Sequence, residues 1–137
     1  MFAPATDAAR IRAEYGPEEL RAMEVYSDTV TALHAAGLHP YIETRGGLAV
    51  CAFAPDGSLL VVASHDALPL QRASLSGWHI THVPEDTNCP SWRCTVYDTT
   101  PEDPDRDPPG DLDLDAAAEA VTAHLASCPR TVHRSGE

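Results

Sequence analysis

The side chains best suited to bind a metal or exchange electrons are histidines and cysteines, and four of them, His79, His82, Cys89 and Cys94, lie within sixteen residues. Cys128 and His133 would come near this group if the last helix packs there. Zinc favours four such ligands. Structural zinc sites usually show two close pairs, whereas this segment offers one, Cys89 and Cys94, and His79 and His82 would point to opposite faces of a strand. We therefore expect no metal and no cofactor, and reduced thiols rather than a disulfide or redox pair.

Two further sequence patterns resemble catalytic or ion-binding sites. Ser64, His65 and Asp66 have the residue types of a hydrolytic triad, but consecutive residues cannot hydrogen-bond in series in that way. An acidic run later in the chain begins like a calcium loop, but Pro108 stands in place of the glycine and Leu114 in place of the bidentate glutamate. The sequence thus predicts no catalytic residue and favours a protein that is not an enzyme.

Composition restricts the class of partner. The 137 residues carry a formal net charge of -12, with no lysine and scattered arginines, so nucleic acid is not expected as a partner. We expect no export signal and no membrane span, and hence a cytoplasmic protein with reduced cysteines. The abundance of alanine and the lack of lysine are typical of high-G+C coding sequences and suggest a bacterial origin. The length fits a single domain over residues 1–137.

The hydrophobic pattern predicts two principal helices. Apolar residues at three- and four-residue steps indicate a helix over 17–36 that ends at Gly37, and a second helix from Leu114 to about residue 128, capped by Asp111 or Asp113. Residues 1–16 are expected to be an extension or a short helix.

Between these helices the pattern predicts strands. They cover 40–45, the hairpin 48–63, 78–83 and 92–97, with an irregular connection at 65–76. Residues 99–111 read as an acidic linker rich in proline and aspartate, and 130–137 as a loose tail. Together these elements predict a two-layer α+β fold: an antiparallel meander of four or five strands, with an N-terminal and a C-terminal helix packed on one face.

The hairpin 48–63 is apolar on both faces, so a sheet covered by helices on one side would leave an apolar surface on the other. An apolar centre surrounded by tyrosine and arginine is typical of protein interfaces. We therefore predict a partner-binding surface on the outer face of the sheet. Its residues would be Tyr41, Arg45, Val50, Val62, His79, Arg93, Thr95 and Tyr97. The alternative is that the 65–76 connection or the tail covers this face.

The function expected from this surface is that of a small acidic module, without enzymatic activity, that self-associates as a homodimer or other homo-oligomer or binds a partner protein. One alternative is a small-molecule-binding protein or enzyme with a pocket between sheet and helices, lined by Trp78, Trp92, His79, His82 and Tyr97. A minor alternative is an acidic mimic of nucleic acid, because residues 98–115 contain eight acids and one arginine.

Overall fold

In the part of the chain that the structure describes, five antiparallel strands follow three helices and precede a fourth, which makes an α+β fold. The computed structural model describes residues 4–44, 47–54, 58–64, 67–71, 75–83, 94–101, 110 and 112–127. The prediction of a meander sheet with helices before and after it is confirmed. The elements are α1 (Pro4–Ala13), α2 (Pro17–Val25), α3 (Ser27–Ala35), β1 (His39–Glu43), β2 (Ala49–Phe53), β3 (Leu59–Ala63), β4 (His79–Val83), β5 (Cys94–Asp98) and α4 (Leu114–Ser127).

The strands lie in the order β1-β2-β3-β4-β5, so each strand pairs with its neighbours in sequence. The pairing register defines two rows of side chains that run across the sheet on opposite faces. A bulge between Ile80 and Thr81 shifts the register of β4 against β5. The inner row is Ile42, Val50, Val62, Ile80 and Tyr97, and the outer row is Tyr41, Cys51, Val61, Thr81 and Thr95.

Helices α2, α3 and α4 cover the inner face and bury the main hydrophobic core with it. Trp78, which is 0% exposed, lies at its centre. The ring of Tyr26 meets the Trp78 ring edge-on, at a centroid distance of 6.5 Å. Leu68 and Leu75, from the described part of the 65–76 connection, belong to the same core. The described part of the connection therefore does not cover the outer face.

The predicted helix 17–36 is divided at Tyr26 into α2 and α3. Tyr26 leaves helical geometry, with φ -111° and ψ 27°, yet its N–H still donates to Ala22 and its carbonyl still accepts from Val30. Its hydroxyl donates to the carbonyl oxygen of Pro69 at 2.5 Å. The backbone hydrogen bonds thus continue almost without interruption from α2 to α3. The Tyr26 side chain links these two helices to the connection after β3.

The helix ends show the expected capping. Gly37 takes φ 88°, and the N–H of Leu38 donates to the carbonyl of Leu33 at 3.1 Å, which completes a Schellman motif after α3. Of the two candidate caps for α4, Asp113 fulfils the role, since it accepts the N–H of Asp115 at 3.0 Å.

Both ends of the predicted acidic linker (99–111) hydrogen-bond to residues just before β4. The N–H of Thr99 donates to the carbonyl of Trp78 at 2.8 Å, and that of Gly110 donates to Ser76 at 2.7 Å. A Cβ at Gly110 would lie 1.6 Å from the carbonyl oxygen of Thr99, so only glycine fits there. The predicted linker between these ends and the predicted tail at 130–137 lie outside the described residues.

Candidate functional site

A cluster of histidine and cysteine side chains lies between the sheet and α4. It consists of His82 on β4, Cys94 on β5 and His124 on α4, and one potential ligand atom from each lies within 4.8 Å of the other two. Nδ1 of His82 is 3.1 Å from Nε2 of His124, and the two rings are nearly perpendicular at a centroid distance of 5.0 Å. Three separate elements thus bring nitrogen and sulfur atoms to one point.

The strand register and the helical repeat explain this convergence. His82 and Cys94 are direct partners across β4 and β5, so their side chains share the inner face. His124 follows the buried residues Ala117 and Val121 at steps of four and three along α4, which places it on the helix stripe that faces the sheet. The cluster therefore continues the hydrophobic contact between α4 and the sheet at its far end.

Ser58, immediately before β3, holds the other side of the His82 ring. Its Oγ lies 2.7 Å from Nε2 of His82, and the two residues are 1% and 0% exposed. A serine and a histidine at this distance match the contact between a nucleophile and its base. A buried hydroxyl offers no approach for a substrate carbonyl, however, so the contact is better suited to orienting the histidine than to acyl transfer.

Burial sets the protonation preferences of the cluster. Removal from water lowers the pKa of His124 below its usual value, which favours the neutral imidazole at neutral pH. Cys94 and His124 are only partly buried, whereas His82 is completely enclosed. The arrangement therefore places the neutral imidazole of His124 beside the partly buried Cys94.

Six residues were predicted as possible metal ligands, and of the three that the structure describes, His82 and Cys94 come together whereas His79 does not join them. His79 lies on the opposite face of β4, as its spacing from His82 indicated. Cys89, Cys128 and His133 lie outside the described residues. Sequence reasoning missed Ser58 and His124. For His124 a signal existed in the 117, 121, 124 spacing, which was not recognised because a helix stripe is normally searched for apolar residues.

The predicted partner-binding set does not form one surface. Val50 and Val62 belong to the inner core, 0% and 2% exposed, so their placement on the outer face was wrong. Each strand of the hairpin is apolar on both faces, and the pattern could not show which face turns towards the helices. A glutamate at either position would destabilise the core and would not report on an interface.

The other members of that set divide between the two faces. Tyr41, His79 and Thr95 lie on the outer face, where Tyr41 is buried, His79 partly exposed and Thr95 exposed. Tyr97 pairs with Ile80 and packs against the inner core, because the bulge reverses the alternation expected from Thr95. Arg45 and Arg93 lie outside the described residues.

Helix α1 lies on the outer face, over β1 and β2. Ala8 of α1 is 0% exposed and packs in a second hydrophobic cluster with residues of four strands. Those residues are Tyr41, Cys51, Phe53, Leu59 and Val83. Burial in this cluster raises the pKa of the Cys51 thiol to about 12, so this cysteine is chemically inert. Part of the predicted apolar surface is thus covered by the N-terminal segment of the chain itself.

The same segment contacts two backbone groups of the edge strand β1. The guanidinium of Arg12 donates to the carbonyl of Pro40 at 2.8 Å, and the N–H of Ile42 donates to the hydroxyl of Tyr15 at 2.6 Å. Pro40 itself has no N–H to offer. These contacts obstruct the addition of another strand beside β1.

The β5 side of the sheet is more accessible. Thr95 and Asp98 are exposed, while Cys94, Val96 and Tyr97 are partly buried. The hydroxyl of Thr100 donates to Asp98 and lowers the pKa of that carboxyl; the backbone N–H of Thr100 and His79, 3.4 Å away, lower it further. Asp98 therefore stays ionised and gives this edge a negative charge.

Among the described residues, the layer between sheet and helices around Trp78 is closely packed. The space where α3, α4 and the sheet meet leaves a cavity of only about 10 Å³, too small for any organic ligand. Trp92, the second tryptophan of the predicted pocket lining, lies outside the described residues. Side chains fill the described part of this layer, which gives no support to a small-molecule site there.

No family model, curated protein or solved structure matches this chain. In the part of the chain that the structure describes, no helix combines the length and hydrophobicity required to cross a bilayer.

Proposed function

We propose that this chain is an interaction module, without enzymatic activity, that binds an extended basic segment of a partner protein as an additional strand beside β5. The observation that carries this proposal is the difference between the two edges of the sheet. Arg12 and Tyr15 occupy backbone groups of β1, whereas β5, at the other end of the strand order, has partly accessible side chains. Strand addition supplies main-chain hydrogen bonds for affinity and side-chain contacts for specificity.

Charge favours a basic partner over a second copy of the chain. Asp98 lies at the end of β5, and the following residues up to 115 add seven acids and one arginine. Two copies that each carry a formal net charge of -12 would repel one another. An arginine- or lysine-rich segment would instead be attracted to this edge, which mainly increases the rate of association.

The length of β5 sets the size of the partner segment. A strand of five residues at about 3.3 Å per residue extends roughly 17 Å, so about five partner residues would pair with it. Alternate side chains of that segment would lie beside the accessible part of the outer face, near Thr95, and the others beside Val96 and Tyr97 on the inner side.

A labelled peptide of alternating arginine and valine, about eight residues long, tests this proposal by fluorescence anisotropy with the full chain. The control peptide has the same sequence but is N-methylated at every residue, which keeps its charge and removes the backbone donors from both edges of the extended peptide. We expect the first peptide to bind and the second to bind at least about tenfold more weakly, since several hydrogen bonds of about 1 kcal/mol each are lost.

Two charge reversals test the position of binding. Asp98→Lys should weaken peptide binding about fivefold, because an exposed ion pair contributes up to about 1 kcal/mol. Glu24→Lys, at an exposed site on α2, makes the same change in net charge and should leave the affinity nearly unchanged. Equal binding of both peptides, equal effects of both substitutions, or no binding would contradict the proposal. A concentration-dependent dimer in light scattering would indicate that a second copy occupies the edge instead.

A further inference from the structure

We infer that His82, Cys94 and His124 bind a divalent metal ion of the zinc class, which would join β4, β5 and α4. The three side chains come from separate elements, yet their nearest ligand atoms lie within 4.8 Å of one another. This site uses the inner face of the sheet and is independent of the partner segment proposed for the β5 edge.

The two histidine nitrogens are almost at the separation that a common ion requires, whereas the Cys94 sulfur, within 4.8 Å of them, would move closer by up to about 1.2 Å to reach a separation of about 3.6 Å. With zinc–nitrogen bonds of about 2.0–2.1 Å and zinc–sulfur bonds of about 2.3 Å, tetrahedral ligand atoms lie about 3.3–3.6 Å apart. The two histidine nitrogens, 3.1 Å apart, need to separate by only a few tenths of an ångström. A hydrogen bond would explain that contact alone, but it would not explain why the thiol of Cys94 converges on the same point.

Ser58 supplies the orienting contact that metal-bound histidines usually have. When Nε2–H of His82 donates to Oγ of Ser58, 2.7 Å away, Nδ1 carries the free lone pair and faces His124. Because His82 is 0% exposed and its ring is held on both sides, the donor atom is fixed before any ion arrives. Ser58 is thus a positioning residue for the site.

The donor set determines the class of metal. Two imidazole nitrogens and one thiolate suit zinc and similar borderline ions, whereas calcium and magnesium prefer oxygen. Cys94 and His124 are partly exposed, so an ion can enter from their side, and a water molecule can fill the fourth position. Loss of the thiol proton accompanies binding, which transfers one proton to solvent per ion bound.

Calorimetric titration of the reduced, chelator-treated full chain with Zn²⁺ tests the inference directly. We expect one ion per chain, and we expect Co²⁺ to give the visible bands of a tetrahedral site together with a thiolate charge-transfer band. His124→Gln and Cys94→Ser each remove a ligand and should weaken binding by more than a hundredfold. Ser58→Ala should weaken it about ten- to hundredfold and keep the charge-transfer band, since the ligands are unchanged.

Matched controls use a histidine and a cysteine outside the site. His34→Gln, at an exposed position in α3, and Cys51→Ser, on the opposite face, should bind Zn²⁺ like the parent. The inference is wrong if the parent binds no Zn²⁺, if Co²⁺ gives no thiolate band, or if the ligand variants bind as tightly as the controls.

A measurement on the unsubstituted chain covers the case in which a ligand variant fails to fold. Iodoacetamide should alkylate Cys94 in the metal-free protein, and saturating Zn²⁺ should slow this at least about tenfold, because a bound thiolate is no longer a free nucleophile. Peptide mapping assigns the modified residue. Alkylation of Cys94 at the same rate with and without Zn²⁺ would overturn the inference.

Discussion

Val61 and Val62 are adjacent residues of the same strand, and replacing each with alanine tests the assignment of the two sheet faces. Val62 is 2% exposed within the main core, on the side covered by α3 and α4. Val61 points to the outer face and is only partly buried. The two substitutions are chemically identical, so any difference between their effects on the free energy of unfolding reflects the environment of each side chain.

Alanine in place of valine removes two methyl groups, or about 1.6 kcal/mol of transfer free energy when the side chain is fully buried. At Val62 the neighbouring groups are held in a packed layer with hardly any spare volume, so a residual cavity adds to this, for a total of about 2–2.5 kcal/mol. At Val61 the partly exposed side chain should lose only about 0.5–1 kcal/mol. We therefore expect a difference of about 1.5 kcal/mol in the free energy of unfolding.

Urea unfolding of the reduced protein measures this difference, with tryptophan fluorescence, to which the buried Trp78 contributes, as the signal. The slope with urea should be the same for both variants and the parent, so that the midpoints compare stabilities directly. If Val61→Ala costs as much as Val62→Ala, or more, the faces are assigned wrongly and α1, rather than α3 and α4, covers the main core.

Two further predictions concern the segment before β1. Tyr15→Phe should destabilise the fold by about 1–3 kcal/mol in the same urea assay, because the N–H of Ile42 loses its acceptor; a change below about 0.3 kcal/mol would show that water replaces the hydroxyl freely. The hydroxyl of Thr44 and the N–H of Gly16 lower the pKa of Glu19. The ionised Glu19 carboxylate therefore stabilises the fold above the ordinary glutamate pKa of about 4.3, and this stabilisation is lost as the pH falls through the lowered pKa. Glu19→Gln should destabilise the protein at pH 7 and flatten the dependence of stability on acid pH. Parallel pH profiles for parent and variant would contradict this.

The sequence pattern was sufficient for the element order, because turn residues and hydrophobic periodicity are local properties. The assignment of Val50 and Val62 required information that is not local. A strand that is apolar on both faces carries no two-residue alternation, so only the direction in which the helices fold back decides which face becomes the main core. The weak amphipathic pattern around Ile11 likewise gave no indication that α1 would cross to the opposite face.

Two other differences between the predicted and the observed structure have equally specific causes. The bulge beside Ile80 changes the face of Tyr97, and nothing in the composition of β4 or β5 marks that irregularity. The cluster at His82 was partly visible, since His82 and Cys94 were already candidates. His124 completes it from forty-two residues away, and such a separation can be recognised only when α4 is placed on the sheet.

The contacts that Arg12 and Tyr15 make with β1 also affect how large an assembly could become. A sheet whose two edges are both open can accept a strand on each side and so grow without limit, as in amyloid. With β1 occupied by the chain's own N-terminal segment, growth by strand pairing stops after one addition at β5. An assembly made only of copies of this chain joined by strand pairing would then contain two members, however concentrated the protein becomes.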